Sequence, residues 1–516
     1  MSLSRRDFLR LGGLTAVTAT ATACSAAGRF VAENELPETL LVPEPTLIPS
    51  PIDDAIVQSA PAVDPILRVL NRAGYGPRPG DIERVRQMGL AAYVEEQLQP
   101  AAIEDTAADL LRRNLTVYNM DVSQLVEQDP RDGGRELVAH TIINALYSKR
   151  QLYEAVVEFW SDHFNIYLRK NQYMPLFKLV DDRDVIRPHA LGKFRNLLFA
   201  SAKSPAMLIY LDNVRNLKED TNENYARELM ELHTLGVHGG YTQTDVEEVA
   251  RVLTGWQVQR RGLDKGEVIF RRGQHDNGEK TVLGHHFPAG RGEAELDDLL
   301  EILATHPSTA NFIATKMVRR FVADQPPQTL VDRVADIFLT TDGDIKAMLR
   351  EIFMSPEFAE APAKLKRPFT YFISTLRALH TDLGVGHRNA RQIGRVLEIL
   401  GQLPFHWPPP NGYPDVAPAW ATNLLPRWNF ALALLHDNLP GTSVPLEEIV
   451  TAGNATDVPS ALHLFAHLLF GRGLDGETAV LFQNYIGQAA IEAPQTQERF
   501  RDTVAFMLAS PEFQWT

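Results

Sequence analysis

From Val63 onward, apolar side chains recur three and four positions apart, which is the period of a helix with one face turned inward. The pattern predicts helices over 135–147, 152–167, 224–234, 245–254, 310–322, 330–338, 345–353 and 369–379. It breaks only over Gln257 to Phe287, where Val258, Val268, Ile269, Phe270 and Thr281 to Leu283 lie between glycine-containing turns. There a small β-hairpin inserted among helices is expected. The fold class is therefore mostly α, a multi-helix globular body with one small hairpin. Thr244-Asp245-Val246-Glu247 has the spacing of a capping box, ahead of a buried stripe of Val246, Val249, Ala250 and Leu253. Two segments end a helix on the same words, Ser355-Pro356-Glu357-Phe358 and Ser510-Pro511-Glu512-Phe513. Serine caps, proline fits the first helical position and phenylalanine turns back into the core. The repeat suggests halves at 61–358 and 359–516, on two short matches.

The first sixty residues follow another rule. Arg5 and Arg6 precede a short, soft apolar stretch from Leu11 to Ala23, which reads as a twin-arginine signal (1–23) for export of an already folded protein. The stretch is too short to span a bilayer. Cys24 follows Ala21-Thr22-Ala23 and is a candidate for lipidation; plain cleavage near Ala23 is the alternative, because Ala21 stands where such sites usually carry leucine. From 24 to 60, five prolines between Pro37 and Pro51 favour an extended tether, and an unstructured leader left by processing is the competing reading. The expected location is extracytoplasmic, with the membrane reached only through a lipid anchor.

Composition narrows the chemistry further. The net charge is −14, and loss of residues 1–23 would leave −16, a poor match to a phosphate backbone, so no nucleic-acid partner is expected. A single cysteine excludes an internal disulfide, thiolate zinc clusters and c-type haem attachment. There is no Gly-x-Ser-x-Gly elbow, no phosphate-cradling Gly-x-x-x-x-Gly-Lys-Ser/Thr loop and no strand leading into Gly-x-Gly-x-x-Gly.

Several long motifs carry a resemblance. Arg72-Ala73-Gly74-Tyr75-Gly76-Pro77, Phe159-Trp160-Ser161-Asp162-His163-Phe164, the run from Asn222 to Val237, Leu253-Thr254-Gly255-Trp256 and His275-Asp276-Asn277-Gly278-Glu279-Lys280 resemble the bacterial family numbered domain of unknown function 1800, over roughly Pro65 to Phe513. The resemblance implies exported proteins, often with a twin-arginine signal and commonly encoded beside a second family related to sulfatases and phosphatases. It implies no catalytic mechanism.

The candidate site residues come from the motifs read physically. Positions 152, 156, 159, 160 and 163 share a helical face, so His163 points inward beside Phe159 and Trp160, either as a satisfied core histidine or as a metal ligand or proton carrier. Asn224, Arg227, Glu228 and Glu231 form a polar stripe. Ion pairing of Arg227 with Glu223 or Glu231 competes there with a buried functional cluster. His233 sits well round that helix, which Gly236 should end. His275 and Asp276 fall in an Asn-Gly turn, where an Asx turn explains the aspartate as readily as chemistry does. Should His163, Glu228, Glu231 and His275 or Asp276 converge, they would make a nitrogen and oxygen site suited to zinc or manganese. The aromatic segment around Trp407, Tyr413 and Trp420 would either stack on sugar faces or pin a long loop to the helices. Two functions follow. One is a metal-assisted hydrolase of an envelope polysaccharide or other extracytoplasmic polymer, with His163, Glu228, His233 and Asp276 in a cleft. The other is a non-catalytic binding or assembly lipoprotein with an envelope protein partner. Oligomeric state is left open.

Overall fold

The computed structural model describes residues 64–516 apart from 126, 260–265, 385–386, 488 and 492. The expected signal, tether and Cys24 lie outside the described residues. The helical period is realised: among the described residues about 60 % are helix, and the strands form only two-stranded antiparallel pairs. No described helix is long and apolar enough to cross a membrane.

The helices that position the site are α1 (Pro65–Arg72), α2 (Pro130–Tyr147), α3 (Gln151–His163), α4 (Asn224–Glu231), α5 (Gln243–Val252), α6 (Pro307–Phe321), α7 (Gln328–Thr340), α8 (Ile345–Met354), α9 (Pro368–Ala378), α10 (Leu424–Leu435), α11 (Val458–Phe470) and α12 (Pro494–Ala509). Proline stands in the first turn of α1, α2, α6 and α9, where its missing N–H costs nothing and its fixed φ suits the helix. One hydrophobic core runs from Leu67 to Ala361 and takes in α3 to α8. A second gathers α9 to α12, together with Tyr75 and the Ile142, Ala145 and Leu146 face of α2. Between them a small aromatic cluster of Leu365, Tyr413, Ala417 and Trp420 packs under the segment that joins the two.

Several boundaries differ from expectation: α2 begins at Pro130 rather than 135, and two helix ends stop short. Helix α3 stops at His163 rather than Tyr167, because Asn165 leaves the helix to donate to the carbonyls of Trp407 and Pro409 at 2.9 and 2.7 Å. Helix α4 ends at Glu231, with Gly236 in the left-handed region four residues after its cap, Leu232. The capping box also falls two residues earlier than read: Thr242 caps α5 and Asp245 reaches back to its amide. Val246, Val249, Ala250 and Leu253 form the buried stripe as expected. The single hairpin is in fact two, β1 (Trp256–Val258) with β2 (Val268–Phe270) and β3 (Lys280–Val282) with β4 (His285–Phe287), because a 3-10 turn at 272–274 interrupts the run. A further pair joins β5 (Asp382–Leu383) to β6 (Thr442–Ser443). Of the two Ser-Pro-Glu-Phe segments, only Ser355 caps through its side chain, accepting from the Phe358 amide; both phenylalanines are buried.

Candidate functional site

Helix α3 presents two pairs of residues four apart, Glu158 with Asp162 and Phe159 with His163, so carboxylates and rings lie on adjoining strips of one helix. Helix α6 packs beside it and offers Lys316, Arg319 and Arg320 at offsets of three and four. Arg367 arrives from the cap of α9, and residues Asn411 to Asp415 close the open side. Together they enclose a cavity of about 170 Å³. The loop can approach this closely because residue 412 is glycine: its φ is +73°, and a Cβ there would lie 2.7 Å from the Asp162 carbonyl carbon.

The floor of the cavity is a connected charge network. Arg367 donates to Asp162 at 2.7 Å and to Glu158, while Arg320 donates to the other oxygen of Glu158 at 2.8 Å and lies 3.6 Å from Asp415. The Tyr75 hydroxyl donates to Glu158 at 2.9 Å. Burial pushes the Glu158 carboxyl up, but Arg367 and Arg320 outweigh it and hold it below its ordinary value; at Asp162 burial wins and raises it. Asp415 ends at about 2, since Lys364, Arg320 and Arg367 outweigh its burial. Glu158 is thus committed to two arginines, whereas Asp415, 3.6 Å from Arg320 and 3.7 Å from Lys364, keeps a buried Oδ1 with no hydrogen-bond donor among the described residues.

Above this floor the balance is different. Lys316 donates to Nδ1 of His163 at 2.9 Å, and Nε2 of His163 donates to the His233 carbonyl at 3.0 Å, which fixes the ring as the neutral Nε2–H tautomer. Burial, then Lys316, holds His163 well below its ordinary value. Burial brings the Lys316 ammonium down to about 8, against the pull of Asp162 and Asp415. Among the described residues, no carboxylate lies within ion-pair distance of Lys316 or Arg319. Arg319 donates to the Asp324 carbonyl, at 3.3 Å. The cavity therefore offers two uncommitted cations and a neutral imidazole beside the apolar ring of Phe159.

The residues expected from sequence divide among several places. His163 lines the cavity and is 1 % exposed; His233 lies directly behind it, ring centres 6.1 Å apart, and is lowered to about 3 by burial and then Lys316. Glu228 is half-buried and pushed up by burial and by Glu231, while Glu231 accepts from the Tyr241 hydroxyl at 3.2 Å. Arg227 pairs with Glu223 at 2.9 Å on the surface, as the simpler reading held. His275 is buried away from these, its Nδ1 donating to the Thr254 carbonyl and its Nε2 3.4 Å from Glu295, which also pairs with Lys280 at 2.8 Å. Asp276 binds Arg251 and accepts from the Gly278 amide, an Asx turn; Arg251 first of all holds it at about 2. Among the described residues no three His, Cys, Asp or Glu side chains are grouped to hold a metal ion, so His163, Glu228, Glu231, His275 and Asp276 do not come together as one donor set. Helices α3 and α4 and the connection between the two hairpins carry them.

Tyr413 and Trp420 are 8 % and 6 % exposed and pack at 6.0 Å, with Trp407 5.0 Å from Tyr413. These rings pin the loop instead of lining an open stacking platform, and Trp407 alone stays half-open. Sequence reasoning missed Lys316, Arg319, Arg320 and Arg367. The signal was present in the Lys-x-x-Arg-Arg spacing on a helix whose opposite face is apolar, but a cationic strip reads by default as solvated surface.

A family model described as Protein of unknown function (DUF1800) matches residues 68–515. No curated protein and no solved structure matches the chain.

Proposed function

Because the chain belongs to the family of proteins of unknown function numbered 1800, we propose that it is an exported envelope protein that takes an anionic group of an extracytoplasmic polymer into the Lys316 cavity. The observation that carries the reading is the pair of cations, Lys316 and Arg319, facing about 170 Å³ of space without a carboxylate of their own in a protein of net charge −14. An acidic surface repels polyanions in general, so a cationic recess in it selects a single charged group presented on a chain. A cavity of this size admits one carboxylate, sulfate or phosphate with part of its sugar, not a whole oligomer. Export by the twin-arginine route rests on Arg5, Arg6 and the stretch to Ala23, and tethering on Cys24 with the proline-rich segment after it.

The test is calorimetric titration of the mature protein with acidic, sulfated and neutral oligosaccharides of equal length. Acidic or sulfated oligomers should bind, and Lys316→Met should weaken them at least about tenfold, the loss of one charge-assisted hydrogen bond. Equal binding of the neutral oligomer, or none by any, would rule the reading out.

A hydrolase reading keeps one support, the Lys316–His163 pair itself. An ammonium near 8 hydrogen-bonded to a neutral imidazole can pass a proton at the mouth of a cavity without any metal. It predicts release of reducing ends from the same bound oligomers, and their survival intact through a long incubation would exclude it.

A further inference from the structure

The segment Lys364-Leu365-Lys366-Arg367 joins the two cores in extended form, Leu365 pairing with Trp515. Its side chains leave in different directions. Lys364 reaches Asp324 and the Asp415 carbonyl, on the cavity side. Lys366 goes the other way, into the C-terminal core, where its ammonium sits 3.6 Å from the centre of the Phe513 ring. Arg427, from α10, lies in the same place over the Tyr371 ring at 5.2 Å.

Both cations are deeply buried, Lys366 5 % and Arg427 0 % exposed. Neither has a carboxylate within ion-pair distance among the described residues. Arg427 donates from Nη1 to Gln514 at 3.2 Å, but its Nε and Nη2 have no acceptor. The nearest polar side chains are engaged elsewhere. Gln514 spends its amide group on the Ala509 carbonyl, and the Tyr371 hydroxyl donates to the carbonyl of Arg427 itself. Lysine can discharge, and burial followed by Arg427 pushes Lys366 well below its ordinary value. A guanidinium does not discharge: burial brings Arg427 only to about 10. One fixed positive charge with two idle donors, and a second cation beside it, is a donor set in need of a negative partner.

We propose that Lys366 and Arg427 hold a small monovalent inorganic anion of the chloride class beneath the Tyr371 and Phe513 rings, tying the 511–514 turn to α9 and α10. A halide matches the site because it accepts from several N–H donors at once, with no preferred direction. It also gives up its hydration more readily than a multivalent oxyanion does.

The inference is independent of the Lys316 cavity, and its test uses the folded protein without any polymer. Crystals soaked in sodium bromide should give an anomalous peak within hydrogen-bonding distance of Arg427 Nη2 and Lys366 Nζ. In thermal unfolding, raising chloride should lift the midpoint by about 2–4 °C beyond sodium gluconate of equal ionic strength. Arg427→Met and Lys366→Met should each abolish that chloride-specific increment while keeping the response common to both salts. Absence of bromide at this position overturns the proposal, and so does an equal response of the parent protein to the two salts. If the variants fail to fold, the bromide peak and the parent salt comparison still decide.

Discussion

Replacing Gly412 with alanine tests whether the cavity depends on close contact between the 411–415 loop and α3. The new methyl carbon would fall inside contact distance of the Asp162 carbonyl oxygen, 2.7 Å from its carbon and 3.0 Å from its Cα, all helix backbone that cannot rotate away. The left-handed φ of +73° alone costs an alanine about 1 kcal/mol. Relief of the overlap requires the loop to lift. That movement strains the Asn165 bonds to Trp407 and Pro409 and the Tyr413 bond to Leu403, each worth about 1 kcal/mol. The expected loss is therefore about 3–5 kcal/mol, read by urea unfolding followed by tryptophan fluorescence, since Trp407 and Trp420 report on this loop directly. Gly476→Ala is the control. Its φ is not left-handed and a Cβ there meets nothing within 4 Å, so it should change stability by less than about 1 kcal/mol, in either direction. A Gly412→Ala loss as small as the control's would show that the loop does not bear on the helix, and the cavity's shape would need another explanation.

Three further outcomes follow. Arg367→Met should destabilise by about 3–5 kcal/mol in the same assay, because it strands Asp162 and half of Glu158; a milder effect would mean water reaches those carboxylates. His233 titrates near 3 when folded and near 6.5 when unfolded, so on acidification the unfolded chain takes the proton first. Stability should then fall from pH 6.5 downward by about 1.4 kcal/mol per unit from this residue, and His233→Gln should remove that part of the slope. Binding of an acidic oligosaccharide should weaken as pH rises through about 8, where Lys316 loses its charge; a flat profile from pH 7 to 9 would separate Lys316 from the ligand.

The helices were legible because their apolar stripes are long, and the site only in part. His163 announced itself by sharing a face with Phe159 and Trp160, and its burial followed from that geometry alone. What it touches could not be read: Lys316 is 153 positions away, and the choice between Lys316 and Glu228 as its companion depends on how α6 crosses α3. Asp276 and Asn277 behaved as turn residues, as their dipeptide chemistry suggested, whereas His275 was carried inward by the hairpins to Glu295, a residue no motif had marked. The apolar period over 152–167 runs past the true end of α3 for a related reason. Nothing in its periodicity signals that Asn165 has two carbonyls waiting for it on a loop 242 and 244 positions away.

The stitch between the cores has an evolutionary corollary. Single replacements within Lys364-Leu365-Lys366-Arg367 alter one neighbourhood each. A one-residue deletion just before the segment instead moves every side chain in it by one place, sending leucine to Asp324 and Asp415 and a lysine into the aromatic cluster. Lineages of this protein should therefore keep the length of this short connector constant, because the two cores read its phase together.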